Sequence, residues 1–443
     1  MRMTRRSELL ARGLPLPALR VVEAAGRLAG ELGIGCALVG GSVRDLLLGR
    51  AVDEMDLVIE GGEPRFAGAL ARALSGRVAS RSRFGTAKLE VPGGPRVDLA
   101  AARTESYPRP GALPETRPAS IEEDLVRRDL TLNAMAIRLE PACRGVLLDR
   151  CGGVRDLRGG LLRVLHGRSF EDDPTRGFRA VRLAVRLRFR LEEGTRTQLA
   201  AALAAGALGT VSGPRVCREL DLAATELPLE RVASAFSGMP LLSGIHPALE
   251  PMTQTLALLR RLDAIAGPAR GDDGGFSNAG QESREPLLTA QAPDRFALLL
   301  GALLQDASAA DAKEALGRLG MAGRPKERVL RLATDAASLG ERLASAGSAS
   351  AITATAEGAS CELLLLACAC RSEALPAARE WAGRLRRVQP LLAGQDLAAL
   401  GVPQGPARSL ALKRLRAARL DGRLASREEE IAFVRRMDHG ESS

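Results

Sequence analysis

A chain of 443 residues is longer than one hydrophobic core needs, so it should divide into two to four domains. Its formal net charge is +10, and 59 of its 63 basic residues are Arg rather than Lys, which suits a polyanionic partner held by bidentate guanidinium–phosphate contacts. One Trp, one Tyr and 2% aromatic content exclude a large base-stacking platform, and no apolar run reaches the roughly 20 residues of a membrane span.

The first 24 residues read as a basic N-terminal extension without the apolar core of a signal peptide. An apolar strand then runs from Ala37 into Gly40-Gly41-Ser42. Two glycines permit a positive φ and bring bare N–H groups against a phosphate, Ser42 is placed to cap the following helix, and Arg44 adds a cation one turn inside it. The next strand, Met55 to Ile59, is led by Glu54 and carries Asp56; two apart, these carboxylates share one face and suit a pair of Mg²⁺ ions. Further strands are expected at Ala87–Val91, Arg96–Ala100, Ala134–Leu139 and Leu161–Leu165. Asp98, flanked by apolar residues, is a candidate third carboxylate, able to take a proton from an attacking hydroxyl. The Pro- and charge-rich stretch from Arg103 to Ile121 fits neither periodicity and reads as a mobile loop.

From Ser169 onward Ala, Leu and Arg recur at helical spacing, so an α/β head over residues 25–165 should be followed by an all-α remainder: a neck over 166–230, then a body and tail over 231–443. Asp173 and Arg176 are three apart at the start of the first of these helices, with Pro174 at its first position, and such a pair on one face can read a base edge. Arg179 and Arg182 continue that face toward a triphosphate or RNA. Residues 267–285 read as a flexible loop. A short helix at 394–401, a Gly/Pro turn and a basic helix with Lys413, Arg414, Arg416 and Arg419 could grip a nucleic-acid backbone. Seven scattered cysteines without framework spacing point to a reducing compartment, so the protein is expected to be soluble and cytoplasmic; Cys368-Ala-Cys370, in an apolar run, reads as core rather than a zinc site.

Taken together, Val39–Arg50 with Asp56–Glu60, Phe84–Lys88 with Val97–Tyr107, Asp124–Ala136, Phe170–Arg182 and Ser212–Leu220 resemble the signatures of the class II tRNA nucleotidyltransferase and poly(A) polymerase family, a branch of the polymerase-β-like nucleotidyltransferases. The resemblance covers residues 34–220 strongly and 385–437 weakly. It implies a nucleotidyltransferase head, with Gly40, Gly41, Ser42 and Arg44 at the nucleotide and Glu54 and Asp56 as catalytic metal ligands. It likewise implies that Arg127, Arg128 and Asp129 meet the ribose and phosphates with Asn133 beside them, and that Asp173 and Arg176 choose CTP or ATP without a template. The implied partners are CTP, ATP and the tRNA acceptor end, with Mg²⁺ as cofactor and no protein partner evident. Two departures stand out: Glu54-Met55-Asp56 replaces an aspartate, any residue, aspartate pattern, and Asp172 replaces the Glu that leads the base-selecting motif. Complete CCA addition, CC or A addition alone, poly(A) synthesis and a catalytically silent RNA-binding relative all remain compatible with these motifs.

Overall fold

The computed structural model describes residues 4–82, 85–267 and 292–438, and the chain separates into two compact units. The first comprises the chain up to Glu219 with 238–244, the second 220–237 and everything from Ile245. The loop predicted at 267–285 lies, apart from Gly267, outside the described residues.

In the first unit, α1 (Thr4–Gly13) and α2 (Leu16–Leu32) lead into the sheet; α2 crosses the boundary expected at residue 25 and stops where Gly33 takes a left-handed φ of 64°. Then follow β1 (Cys36–Val39), α3 (Gly40–Leu47), β2 (Glu54–Ile59), α4 (Glu63–Ala73), β3 (Arg77–Ser82), β4 (Thr86–Glu90) and β5 (Arg96–Ala101). The next elements are β6 (Arg103–Ser106), β7 (Glu115–Pro118), α5 (Ile121–Val126), a 3₁₀ turn at Thr131–Asn133, β8 (Ala136–Arg138) and β9 (Leu147–Leu148). Seven of these strands form one sheet in the order β3-β4-β5-β2-β1-β8-β9, with β2 and β5 parallel and the other neighbours antiparallel. The sheet is mixed, as predicted for the head.

Alternation along β2 explains its orientation. Met55, Leu57 and Ile59 are buried on the face where Phe66 and Leu70 of α4 also lose their solvent, while Glu54 and Asp56 point to the opposite face. On that second face Val58 joins Ala37, Val39, Ala136 and, from α5, Ile121 and Leu125 in one apolar cluster. The carboxylates therefore stand at the rim of a packed surface that fixes the strand beneath them.

The stretch 103–121, expected as a mobile loop, contains a β-hairpin: β6 and β7 pair antiparallel from Arg103↔Pro118 to Ser106↔Glu115. Every residue of β7 is exposed, so no apolar alternation marks it in the sequence. The short elements α6 (Gly153–Arg158), β10 (Leu161–Leu162) and α7 (Ser169–Asp172) precede α8 (Thr175–Leu187), and β11 (Arg190–Leu191) returns parallel to β10, a two-residue exception to an otherwise helical continuation. The helices α9 (Glu193–Ala204) and α10 (Gly213–Glu226) follow.

In the second unit the described residues add α11 (Leu229–Ser237), α12 (Thr253–Ala266), α13 (Arg295–Leu303), α14 (Ala309–Arg318), α15 (Gly323–Ala344), α16 (Ala349–Ala356), α17 (Cys361–Cys370) and α18 (Leu375–Gly383). The chain closes with α19 (Gly394–Ala399), α20 (Pro406–Leu420) and α21 (Arg427–Asp438), which build a separate small core from Leu392, Leu397, Leu415 and Val434. Buried Glu430 serves that core by accepting the Leu391 and Leu392 N–H groups and facing Arg419 at 3.4 Å. Cys368 is buried in α17, as a core residue should be, and all seven cysteines are free thiols. No single described helix is long and apolar enough to cross a membrane.

Candidate active site

Gly40 is where the site begins. Its φ of 66° is left-handed, and a Cβ placed on it would lie 3.0 Å from Arg128 Nη1 and 3.5 Å from Asp56 Oδ2, so only glycine suits both the backbone and the space. Gly40 also opens α3, whose N-terminal amides and dipole favour an anion.

Ser42 differs from its expected role. It is the third residue of α3 rather than its cap, and its buried hydroxyl donates to the Glu54 carbonyl at 2.9 Å while accepting the Asp56 N–H at 2.9 Å. Ser42 thus ties the start of α3 to the strand that carries the carboxylates. Arg44 is buried and committed as well: Nε and Nη2 donate to the two Asp45 oxygens at 2.9 and 2.8 Å, and Nη1 donates to Asn133 Oδ1 at 2.9 Å. The cation expected one turn into the helix is held in place as a brace between α3 and the Thr131–Asn133 turn.

The parallel register places Asp56 opposite Asp98 and Glu54 opposite Arg96, which brings the three predicted carboxylates to one face. Burial pushes the Asp56 carboxyl up to about 6; Arg128 opposes that shift, while the neighbouring Asp98 and Glu54 charges add to it. Such an oxygen set fits a hard divalent cation. Among the described residues no three ligating side chains already converge on one point. Glu54 turns to Arg96 at 3.3 Å and Asp98 to Lys88 at 3.4 Å, but both pairs are largely exposed, and pairs of that kind contribute at most about 1 kcal/mol. A bound cation would outcompete them.

Behind this face lies a buried network that sequence reasoning missed in large part. Asp124, fully buried, accepts Arg127 Nη2 at 2.6 Å and Nε at 2.9 Å on one oxygen, and Arg128 Nη2 at 2.9 Å on the other. Arg127 also donates to Glu105 Oε1 at 2.7 Å and to the Arg103 carbonyl at 2.9 Å. Two like charges are thereby held side by side, with Arg128 directed at Gly40. Only the acidic residues flanking the arginine pair hinted at this from sequence.

Asp129 accepts Leu130 N–H, Asn133 Nδ2 at 3.1 Å and Arg179 Nη1 at 3.0 Å, and Arg179 reaches on to Glu219 at 3.0 Å. Burial alone would raise its pKa, but the Arg179 charge and the bonds from Asn133 and Arg179 prevail and hold it at about 2 against an ordinary 3.8. Because the folded value is the lower one, this stabilisation is fully present above about pH 4 and is lost as pH falls toward 2. Arg179→Gln is therefore expected to remove about 2 kcal/mol at neutral pH and to flatten the acid limb of stability between pH 4 and 2, measured by urea midpoints across that range. An unchanged acid limb would discount the pair. Arg182, also buried, lies 3.9 Å from Glu219.

Asp173 and Arg176 do not share a helical face. Asp173 is extended (φ −141°), whereas Pro174, with helical φ of −58°, stands immediately before α8 rather than as its first residue. Asp173 caps the helix through the Thr175 N–H and hydroxyl and pairs with Arg215 at 2.8 Å. Arg176, 5% exposed, donates to Ser169 Oγ at 2.9 Å and to the Tyr107 hydroxyl at 3.2 Å, with its Cζ 5.7 Å from the Tyr107 ring centre. The spacing suggested a mutual pair; proline before the first full turn separates the two side chains, and Tyr107, Ser169 and Arg215 take them up.

Comparison with known proteins bears on the domain that carries this geometry. Residues 36–163 match the Poly A polymerase head domain. The chain is 34% identical over 434 residues to the A-adding tRNA nucleotidyltransferase of Geobacter sulfurreducens, covering 97% of this chain and 48% of that protein. It is 40% identical over 219 residues to the CC-adding tRNA nucleotidyltransferase of Deinococcus radiodurans, covering 49% of this chain and 57% of that one. The chain thus spans about half the length of the curated relatives it matches. Among solved structures, the Thermotoga maritima CCA-adding enzyme complexed with tRNA aligns with a TM-score of 0.74 at 28% identity, covering 97% of this chain and 98% of that one. A glycine-led helix, a carboxylate pair on parallel strands and a partly buried arginine pair all lie within residues 36–163, and that part of the chain is a Poly A polymerase head domain.

Proposed function

We propose that this protein adds C and/or A to the 3′ end of tRNA from CTP or ATP, without a template and with release of pyrophosphate. The observation that carries the reading is Asp56 beside Asp98 on parallel strands, at the mouth of a helix whose first residue lies against Arg128. The triphosphate binds at the start of α3, where Gly40 and Gly41 leave room for it and Arg128 supplies a fixed positive charge. Asp98 accepts the proton of the tRNA 3′-hydroxyl as that oxygen attacks the α-phosphate, and pyrophosphate leaves toward the α3 N-terminus. A divalent cation held by Asp56 with Glu54 and Asp98, Mg²⁺ by the hardness of the donors, would supply charge stabilisation at the reacting phosphate. Arg127, Asp129 and Asn133 frame the ribose side, and Arg176 with Asp173 selects the base. Lys413 and Arg414, on the last basic helix, are available to the tRNA backbone. Free thiols throughout support a reducing compartment, the cytoplasm.

The match along nearly the whole chain to an A-adding protein favours ATP as the nucleotide used. The test offers Mg²⁺, labelled ATP and CTP, singly and together, to tRNA transcripts ending before CCA, after C or after CC. The expected result is one A added to the transcript ending in CC. Growth of the first transcript by three residues would identify complete CCA addition instead, and long A tails on unrelated RNA would identify poly(A) synthesis. No incorporation despite salt-sensitive tRNA binding overturns the proposal in favour of a silent relative.

A further inference from the structure

The sole tyrosine of the chain sits at the end of β6, between the arginine that chooses the base and the network that aims the arginine pair. Its hydroxyl accepts Arg176 Nη2 at 3.2 Å and donates to Glu105 Oε2 at 3.0 Å, while its ring lies under the Arg176 guanidinium. The other Glu105 oxygen accepts Arg127 Nη1 at 2.7 Å, and Arg127 shares Asp124 with Arg128. A continuous run of hydrogen bonds thus joins Arg176 to Arg128 at Gly40. Burial pushes the phenol up to about 12, so it keeps its proton at any working pH.

We propose that Tyr107 is a specificity-determining positioning residue, which orients the Arg176 guanidinium for reading the incoming base through its ring and hydroxyl together. This rests on the reading of Arg176 as the base selector. An arginine has a long, rotatable stem, and a donor fork discriminates between base edges only when its plane is fixed. Ser169 Oγ and, at 3.5 Å, His166 Nε2 hold one terminal nitrogen; Tyr107 and, at 3.4 Å, the Arg127 carbonyl hold the other. Burial and Arg176 itself keep His166 below its ordinary pKa, which favours the neutral imidazole beside that fork. Among the described residues, Tyr107 adds the aromatic surface that sets the plane.

The test is the ratio of kcat/KM for ATP to that for CTP on a tRNA transcript ending in CC, measured for the parent, Tyr107→Phe, Arg176→Lys and the double variant, with melting temperatures as the check on folding. Tyr107→Phe keeps the ring and deletes one hydrogen bond to a charged group, so the ratio is expected to move toward unity on the order of tenfold, mainly through KM. In the Arg176→Lys background the same change should add nothing, because its target is already gone. Glu105→Gln, which keeps a hydrogen-bond acceptor for the phenol, should fall between parent and Tyr107→Phe. If Arg176→Lys collapses the ratio and Tyr107→Phe leaves it intact, or if the two losses simply add, the proposal is overturned while the base-selector reading stands. An intact ratio in Arg176→Lys overturns both.

Discussion

Replacing Asp56 by Asn is expected to lower nucleotide incorporation on the order of a thousandfold while leaving the melting temperature unchanged or higher. The rate loss follows from the role proposed for the carboxylate: charge stabilisation at a reacting phosphate is worth several kcal/mol, and each 1.4 kcal/mol is a factor of ten. The stability gain follows from its surroundings. A negative charge half out of water beside Asp98 and Glu54 disfavours the folded chain at neutral pH, and a neutral amide of the same shape removes that repulsion. Glu54 stands at the exposed start of β2, so Glu54→Gln should cost less activity than Asp56→Asn. Single-turnover incorporation on a tRNA transcript, paired with calorimetry, reads both quantities. A loss below tenfold, or a fall in melting temperature that accounts for the lost activity, would remove Asp56 from the chemistry.

Replacing Asp124 by Asn should have the opposite profile, a large loss of stability in the head. Removing one member of a buried ion pair costs about 3–5 kcal/mol because the partner charges stay behind. Here the partners are a fifth exposed, so the lower end, about 3 kcal/mol, is expected. For a unit of this size that corresponds to a melting temperature lower by roughly 6–12 °C. Calorimetry on the full chain tests it, and a shift under about 2 °C would mean that Glu105 alone suffices to hold Arg127.

The contrast between these residues marks where sequence was informative. Glu54 and Asp56 were legible because a strand has period two and its apolar partners Met55, Leu57 and Ile59 revealed the buried face. Gly40 was legible because few residues tolerate its backbone. β3 and β7 were not, since both are exposed nearly throughout and present no alternation to detect. Missing β7 hid the hairpin, and with it Glu105 and Tyr107, whose roles arise from a return of the chain rather than from any local pattern. The burial of Asp124 was not legible, because an i,i+3 acid and base look alike whether solvated or buried. Ser42 was assigned to the right junction with the wrong function: cap chemistry is written in the sequence, but a hydroxyl bridging to another strand is not. The motif proposed to select the base was recognised through resemblance, while the division of Asp173 to Arg215 and Arg176 to Tyr107 depends on how the chain folds.

One tyrosine in the head and one tryptophan, Trp381 in α18, give each compact unit a single spectroscopic label. Indole emission, excited at the red edge where the phenol does not absorb, therefore follows the helical unit alone. Melting of that unit can be followed beside the activity of the same protein, with no dye attached and no residue replaced.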